Sequence, residues 1–233
     1  MPINLPNQIT LARLIIAAVV FILLANIQLA ATGPATGHDL LIWAAFILFT
    51  IAAALDALDG HLARRWNQTT GFGRVIDPFV DKMLVLGVFL FLLGPNYSLS
   101  APDGSTHNAI GLAPWMLAIL LARELLVSVL RGELEKSGQA FGANSTGKLK
   151  ATLQFIAAGA AILATLVAHI PGHWIGLTAG LTLWAAVLIT AASTVVYLWR
   201  ARGHLRMHHR SAEPHAAASH AARPAAAATE PLA

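Results

Sequence analysis

Four aspartates lie close together in the sequence, in two pairs at the ends of two apolar segments: Asp56 with Asp59, and Asp77 with Asp81. Carboxylates beside hydrocarbon are costly, and two of them about 5 Å apart repel by roughly 3 kcal/mol at an effective dielectric constant near 20. Such a group needs cations. Oxygen ligands without His or Cys favour Mg²⁺, Mn²⁺ or Ca²⁺, and two divalent ions that balance four carboxylates are typical of phosphoryl transfer.

The spacing within each aspartate pair fits a helix. Residues three or four apart share one helix face, so Asp56 and Asp59 form one pair of neighbouring carboxylates and Asp77 and Asp81 form another. An antiparallel hairpin of the two helices would bring both faces together. The sequence therefore predicts a metal site formed by two helices.

Small and basic residues accompany the acids. Gly60 and Gly73 remove side chains where a ligand could approach, Ala63 keeps the helix face thin, and Arg64 places a cation near a phosphorylated ligand. Taken singly, these features have structural explanations: Asp77 before proline is an ordinary helix N-cap, and arginines anchor membrane helices. Their joint occurrence at fixed spacing favours function.

Composition places the acids in a membrane protein. The 233 residues are 57% hydrophobic and 11% charged, whereas soluble domains are about 45–50% apolar and about 25% charged. The chain has no cysteine, which excludes disulfides and thiolate metal sites. Its net charge of +4 does not indicate a nucleic-acid partner, because the basic residues follow membrane topology.

Six apolar stretches predict the architecture. Each is near the roughly 20 residues that span a bilayer, and backbone inside lipid must form helices to satisfy its hydrogen bonds. We therefore expect an all-α integral membrane protein with six transmembrane helices. The stretches cover approximately 8–31, 39–64, 76–95, 111–131, 149–170 and 174–200.

Basic residues predict the orientation. The loops at 32–38, 95–110 and 169–174 contain no Lys or Arg, so the positive-inside rule places them outside and both termini in the cytoplasm. Both aspartate pairs then lie on the cytoplasmic side. The Ala/His/Pro-rich segment 202–233 lacks apolar periodicity and is expected to be a disordered tail that follows a membrane domain at 1–201.

The residues at 56–81 complete the string D-x-x-D-G-x-x-A-R-x₈-G-x-x-x-D-x-x-x-D. This string resembles the signature of the CDP-alcohol phosphatidyltransferase family, and the six-helix layout agrees with it over about 1–200. Within the family, the chain is similar to bacterial phosphatidylglycerophosphate synthases. The similar stretches are Asn4–Leu14, ARRWNQTTGFG and IDPFVDK in the motif, ARELLVSVLRGELEKSG, and Gly147–Gln154.

The resemblance implies an activity. The enzyme would transfer the phosphatidyl group of CDP-diacylglycerol to sn-glycerol 3-phosphate, giving phosphatidylglycerophosphate and CMP, in a bacterial inner membrane with the site on the cytoplasmic side. Asp56, Asp59 and Asp77 would bind two Mg²⁺ or Mn²⁺ ions, and Asp81 would add ligation and act as general base. The implied CDP pocket comprises Asp56, Asp59, Gly60, Ala63, Arg64 and Gly73.

An acceptor phosphate needs its own basic pocket. Arg123 lies inside the fourth apolar stretch, where arginines usually face a cavity, although it could instead pair with Glu124 or extend towards the interface. Arg131, Lys148 and Lys150 could hold the same phosphate or act only as membrane anchors.

Other functions stay open from the sequence. The motif is common to enzymes that use phosphatidylglycerol, an inositol phosphate or serine as acceptor. Membrane carboxylates also occur in metal-ion and proton transporters, but transport favours acids near the midplane, without this Gly/Ala/Arg spacing. A non-catalytic scaffold would not require the complete acidic set. Membrane enzymes of this kind often pair, so a homodimer is an expected assembly.

Overall fold

The computed structural model describes residues 5–30, 33–34, 36–66, 71–100, 103–136 and 145–221. Within the helices, the side chains of 5–7, 57–66, 71–78, 81, 131, 133–136, 145–148 and 200–221 lie outside the description. The prediction of a mainly helical chain is confirmed. The α-helices of the described part are α1 (Leu5–Asn26), α2 (His38–Trp66), α3 (Gly71–Leu92), α4 (Pro114–Lys136), α5 (Ser145–Ala164) and α6 (Trp174–Ala221).

Four segments of the described residues are long and apolar enough to cross a membrane: Gln8–Asn26, His38–Asp56, Leu149–Val167 and Trp174–Trp199. Within the described side chains, helix α3 has a shorter apolar stretch, Lys82–Leu92. Helix α4 is interrupted by charged residues. A multi-pass membrane protein is therefore supported, whereas the expected count of six spans is not confirmed.

Helix α1 lies against both α2 and α3. It buries an apolar face at helical spacing, formed by Ala17, Val20 and Leu24. Phe21 stacks on Phe91 of α3 with ring centroids 5.3 Å apart. Gly87 permits this approach, because a Cβ atom there would lie 2.2 Å from Phe21 Cζ.

Helices α2 and α3 share two packing partners. Among the described residues, both helices lie against α1 and α5. Phe49 of α2 meets Phe155 of α5 with ring centroids 6.0 Å apart. The expected α2–α3 hairpin would join the ends of these helices at residues 57–78, whose side chains lie outside the description, so it stays a prediction.

Three connections meet at one end of the bundle. Strand β1 (Leu29–Ala30) pairs antiparallel with β2 (Gly33–Pro34), and β3 (Ser98–Ser100) pairs antiparallel with β4 (Thr106–Asn108). β1 contacts β3, and β2 contacts the 3₁₀ turn Thr165–Val167 that follows α5. The connections α1–α2, α3–α4 and α5–α6 thus share one end, as expected from their lack of Lys and Arg.

Buried hydrogen bonds fix this end. The Tyr97 hydroxyl donates to the Leu24 carbonyl at 2.7 Å, and burial raises the pKa of the phenol well above its usual value. The Asn108 amide donates to the Leu92 carbonyl at 2.7 Å, while its side-chain oxygen accepts from the backbone N–H groups of Ile110 and Leu112. These bonds join the α3–α4 connection to the ends of α1 and α3.

The final segment differs from the sequence prediction. Helix α6 continues to Ala221, so a disordered tail beginning at residue 202 is not confirmed, and residues 222–233 lie outside the description. The chain divides into a compact unit up to Ser193 and a second unit from Thr194 onward.

Candidate active site

The acidic motif occupies the second half of α2 and the first half of α3. Asp56 is the member whose side chain is described, and 33% of that side chain is exposed. Asp59, Asp77 and Asp81 lie on the same two helices, but their side chains are outside the description. The same holds for the predicted CDP-pocket residues Gly60, Ala63, Arg64 and Gly73.

Asp56 is held by a residue from α1. Arg13 Nη1 lies 2.8 Å from Asp56 Oδ1, and only 1% of the Arg13 side chain is exposed. A buried guanidinium requires a carboxylate partner, and the geometry of this pair is that of a charge-assisted hydrogen bond. Asp56 keeps a third of its surface open, so its remaining lone pairs can still serve another ligand. Arg13 therefore fixes the first motif aspartate from a neighbouring helix.

A second charged group lies where α3, α4 and α5 meet. We call it the Glu124 cluster, and it consists of Lys82, Arg123, Glu124, Ser128 and Lys150. Glu124 Oε1 contacts Lys150 Nζ and lies 3.3 Å from Arg123 Nη1. Glu124 Oε2 lies 3.8 Å from Lys82 Nζ. The Glu124 carboxylate thus forms ion pairs with basic side chains from three helices.

Ser128 completes the cluster. Its hydroxyl accepts a hydrogen bond from Lys82 Nζ and donates to the Glu124 carbonyl at 2.7 Å. One turn beyond Lys150 along α5, the buried Gln154 amide donates to Thr190 Oγ1 at 3.5 Å. The polar interior therefore continues from α3 and α4 to α6.

The structure brings together two of the four residues predicted for the acceptor phosphate. Arg123 and Lys150 are both buried and share the Glu124 carboxylate. The alternative considered for Arg123, pairing with Glu124, is also present. Arg131 and Lys148 have side chains outside the description, so their predicted role is not tested.

Sequence reasoning missed Lys82, the central place of Glu124, and Arg13 as the partner of Asp56. Lys82 follows Asp81 directly, so the Glu124 cluster begins one residue after the motif along α3. Two sequence features could have predicted these contacts: Lys82 and Glu124 are both charged residues within apolar helical segments. Such residues usually pair with an opposite charge inside a helix bundle.

The described members of the cluster are mostly basic. Three basic side chains surround one carboxylate. Lys82 is the most accessible cation, with 34% of its side chain exposed, while Lys150 is only 4% exposed. Buried charges at this density attract a compact anion more strongly than they would in water.

Comparison with known proteins decides the family. The model of the CDP-alcohol phosphatidyltransferase family matches residues 3–199. The chain belongs to the CDP-alcohol phosphatidyltransferase family. It is therefore a membrane-embedded transferase of phospholipid biosynthesis, as the motif at 56–81 indicated.

Two curated relatives refine the comparison. The chain is 32% identical over 198 residues to a CDP-diacylglycerol–glycerol-3-phosphate 3-phosphatidyltransferase of Bacillus subtilis, which covers 82% of this chain and 91% of the relative. It is also 32% identical over 207 residues to the protein of the same name from Escherichia coli K12, covering 88% and 98%. Both matches therefore extend over nearly the full length of the relatives.

Proposed function

We propose that this phosphatidyltransferase transfers the phosphatidyl group of CDP-diacylglycerol to sn-glycerol 3-phosphate, giving phosphatidylglycerophosphate and CMP. The names of both relatives support this donor and acceptor. The observation that carries the proposal is the Glu124 cluster, because its three basic side chains, one of them directly after Asp81 along α3, suit an acceptor that bears a phosphate monoester.

The acceptor pocket proposed here includes Arg123 and Lys150, with Lys82 added from the structure. Arg123 supplies a planar group of donors, and both lysines supply point charges. Arg131 and Lys148 are retained as candidates from the same basic region. Helix α3 carries both Lys82 and Asp81, so a phosphate bound to the cluster would keep the glycerol part of the same molecule close to the motif.

Two divalent ions, Mg²⁺ or Mn²⁺, are proposed for the four motif aspartates. The donor set fits such ions, because every member is a carboxylate and Asp56 remains partly open while it is paired with Arg13. When bound, the ions stabilise the negative charge that develops on the attacking and leaving oxygens. The donor pocket is proposed to comprise Asp56, Asp59, Gly60, Ala63, Arg64 and Gly73.

The reaction proposed at this site is a displacement at phosphorus. Asp81 accepts the proton of the glycerol hydroxyl while that oxygen forms a bond to the β-phosphorus of the donor. The bond between the β-phosphorus and the bridging oxygen of CMP breaks, and CMP leaves with the bonding electrons. Arg13 holds Asp56 in a fixed orientation throughout, which preserves the geometry that the reaction needs.

Six transmembrane helices with both termini in the cytoplasm are proposed for the membrane arrangement. The three connections without Lys or Arg share one end of the bundle. By the positive-inside rule, that end would face away from the cytoplasm. The active site would then open to the cytoplasmic side of a bacterial inner membrane, where it can receive a lipid donor and a water-soluble acceptor. A homodimer stays a prediction.

An acceptor screen tests the proposal. The purified protein, in vesicles that contain CDP-diacylglycerol, is supplied separately with sn-glycerol 3-phosphate, phosphatidylglycerol, an inositol phosphate or serine, and released CMP is measured. We expect glycerol 3-phosphate to release CMP fastest and to yield phosphatidylglycerophosphate in equal amount. Faster release with another acceptor would contradict the proposed substrate, whereas release with none would contradict the transferase reaction itself.

A further inference from the structure

Ser128 is the neutral member of the Glu124 cluster, and it accepts a hydrogen bond from Lys82, the most accessible cation there. We propose that Ser128 is a positioning residue for the acceptor: its hydroxyl holds the Lys82 ammonium group in the place from which it binds the acceptor phosphate. The inference deepens the proposed function and rests on it, since Lys82 belongs to the acceptor pocket proposed above.

The hydrogen bonds of Ser128 have a fixed direction. A lysine ammonium group only donates hydrogen bonds, so the Ser128 oxygen accepts from Lys82 Nζ. A hydroxyl group has a single proton, and Ser128 donates it to the Glu124 backbone carbonyl at 2.7 Å. The hydrogen bonds therefore run from Lys82 through Ser128 to the backbone of α4, so the acceptor of the lysine proton is fixed to a helix.

The ion pair between Lys82 and Glu124 is a looser contact. Glu124 Oε2 lies 3.8 Å from Lys82 Nζ, which is within ion-pair distance but too long for a hydrogen bond. Such a pair attracts the ammonium group, whereas the hydrogen bond to Ser128 also fixes its direction. Lys82 has further interactions, so Ser128 is one of several groups that hold it. Removal of the Ser128 hydroxyl should therefore weaken acceptor binding without abolishing it.

The length and exposure of Lys82 explain why it needs such a contact. Lysine carries its charge on a flexible four-carbon stem. In Lys82 34% of the side chain is exposed, whereas Lys150 is only 4% exposed and is held by burial. An exposed, flexible side chain loses more conformational entropy when it binds a ligand, unless a contact orders it beforehand. Ser128 supplies that contact at the part of the cluster that a water-soluble acceptor can reach.

Spacing along α4 places Ser128 where it can reach α3. Ser128 follows Glu124 by one helical turn, so both residues lie on the same face of α4. Both contact Lys82, which directly follows Asp81 on α3. The hydrogen bond therefore joins α4 to α3 one residue beyond the motif, where a bound acceptor must present its hydroxyl group.

The test compares Ser128→Ala with the control Ser193→Ala. Ser193 lies on α6 outside the Glu124 cluster, and its hydroxyl donates to the Thr190 backbone carbonyl at 2.9 Å, so the control loses a similar bond within a helix. CMP release is measured against the concentrations of glycerol 3-phosphate and CDP-diacylglycerol. For Ser128→Ala we expect the acceptor KM to rise by about threefold to tenfold, as for the loss of one hydrogen bond, while kcat and the donor KM change by less than about twofold. Ser193→Ala should change none of these.

A conservative variant and a binding measurement separate positioning from folding. Ser128→Thr keeps the hydroxyl group, so its acceptor KM should stay within about twofold of the native value. The rise of the thermal unfolding midpoint with added glycerol 3-phosphate gives the affinity without turnover. Ser128→Ala should need about threefold to tenfold more ligand for half of this effect, and Ser128→Thr should behave like the native protein.

A double variant shows whether Ser128 acts through Lys82. In a Lys82→Met background the ammonium group is absent, so Ser128→Ala should raise the acceptor KM by less than about twofold further. A native acceptor KM in Ser128→Ala, equal rises in the two KM values, or the full effect of Ser128→Ala in the Lys82→Met background would overturn the proposal. A native protein that releases no CMP with glycerol 3-phosphate would instead overturn the proposed function, so the two failures are distinguishable.

Discussion

Truncation of Arg123 examines the acceptor pocket directly. The Arg123 side chain is 9% exposed, and its Nη1 atom lies 3.3 and 3.4 Å from the two Glu124 oxygens. In Arg123→Ala, Glu124 keeps its contacts with Lys150 and Lys82, so the Glu124 carboxylate is not left unpaired. We therefore expect the variant to fold and its main defect to lie in binding of the acceptor.

The magnitude follows from the contact that is lost. A hydrogen bond to a charged group contributes about 1.5–3 kcal/mol, which corresponds to about tenfold to 150-fold in affinity. We expect the KM for glycerol 3-phosphate to rise within this range in Arg123→Ala, while the KM for CDP-diacylglycerol changes by less than about twofold because the lipid donor does not use the cluster. Arg123→Lys keeps the charge but loses the planar donors, so its increase should be smaller.

The assay is CMP release at saturating concentration of one substrate while the other is varied. Thermal unfolding of the same preparations provides the control for folding. Equal increases in the two KM values would contradict the reasoning, because they would place Arg123 in a general structural role. A normal acceptor KM in Arg123→Ala would remove it from the pocket.

Four further predictions concern the motif and the packing. Asp81→Asn should abolish CMP release without a change in the thermal midpoint, and near-normal turnover would remove Asp81 as the base. Chelation of divalent metal should stop CMP release, and added Mg²⁺ should restore it; activity after exhaustive chelation would disprove the metal requirement. Tyr97→Phe should cost about 1 kcal/mol of stability, seen as a small fall in the thermal midpoint, while turnover persists. Gly87→Val should cost about 1–3 kcal/mol because its side chain would overlap the Phe21 ring, whereas Gly180→Ala, which meets no neighbouring atom, should be neutral.

The sequence predicted two members of the charged cluster but not its packing. Arg123 and Lys150 were expected in one pocket because an acceptor phosphate needs several basic residues, and the structure brings their side chains together at Glu124. Glu124 itself was considered only as a local neighbour of Arg123. Its contacts with Lys82 and Lys150 depend on helices that are distant in sequence, and periodicity carries no information about which helix faces meet.

The helix pairing shows the same limit. Spacing placed Asp56 and Asp59 on one face of α2, but it did not reveal that Arg13 of α1 would pair with Asp56. A hairpin of α2 and α3 was the simplest arrangement of neighbouring segments. The structure packs α1 and α5 against both helices, and the α2–α3 hairpin itself stays a prediction. The family, by contrast, was readable from the motif alone and is confirmed.

Manganese binding tests the central claim, that the motif aspartates of α2 and α3 form one site for two cations. Mn²⁺ is titrated into the purified protein in the presence of CDP-diacylglycerol, and bound ions are counted by electron paramagnetic resonance. The account predicts two ions per chain, and it predicts that Asp56→Asn and Asp77→Asn each weaken binding while Asp39→Asn does not. Full catalytic activity without bound Mn²⁺ or any other divalent ion, or unchanged binding in both motif variants, would contradict it.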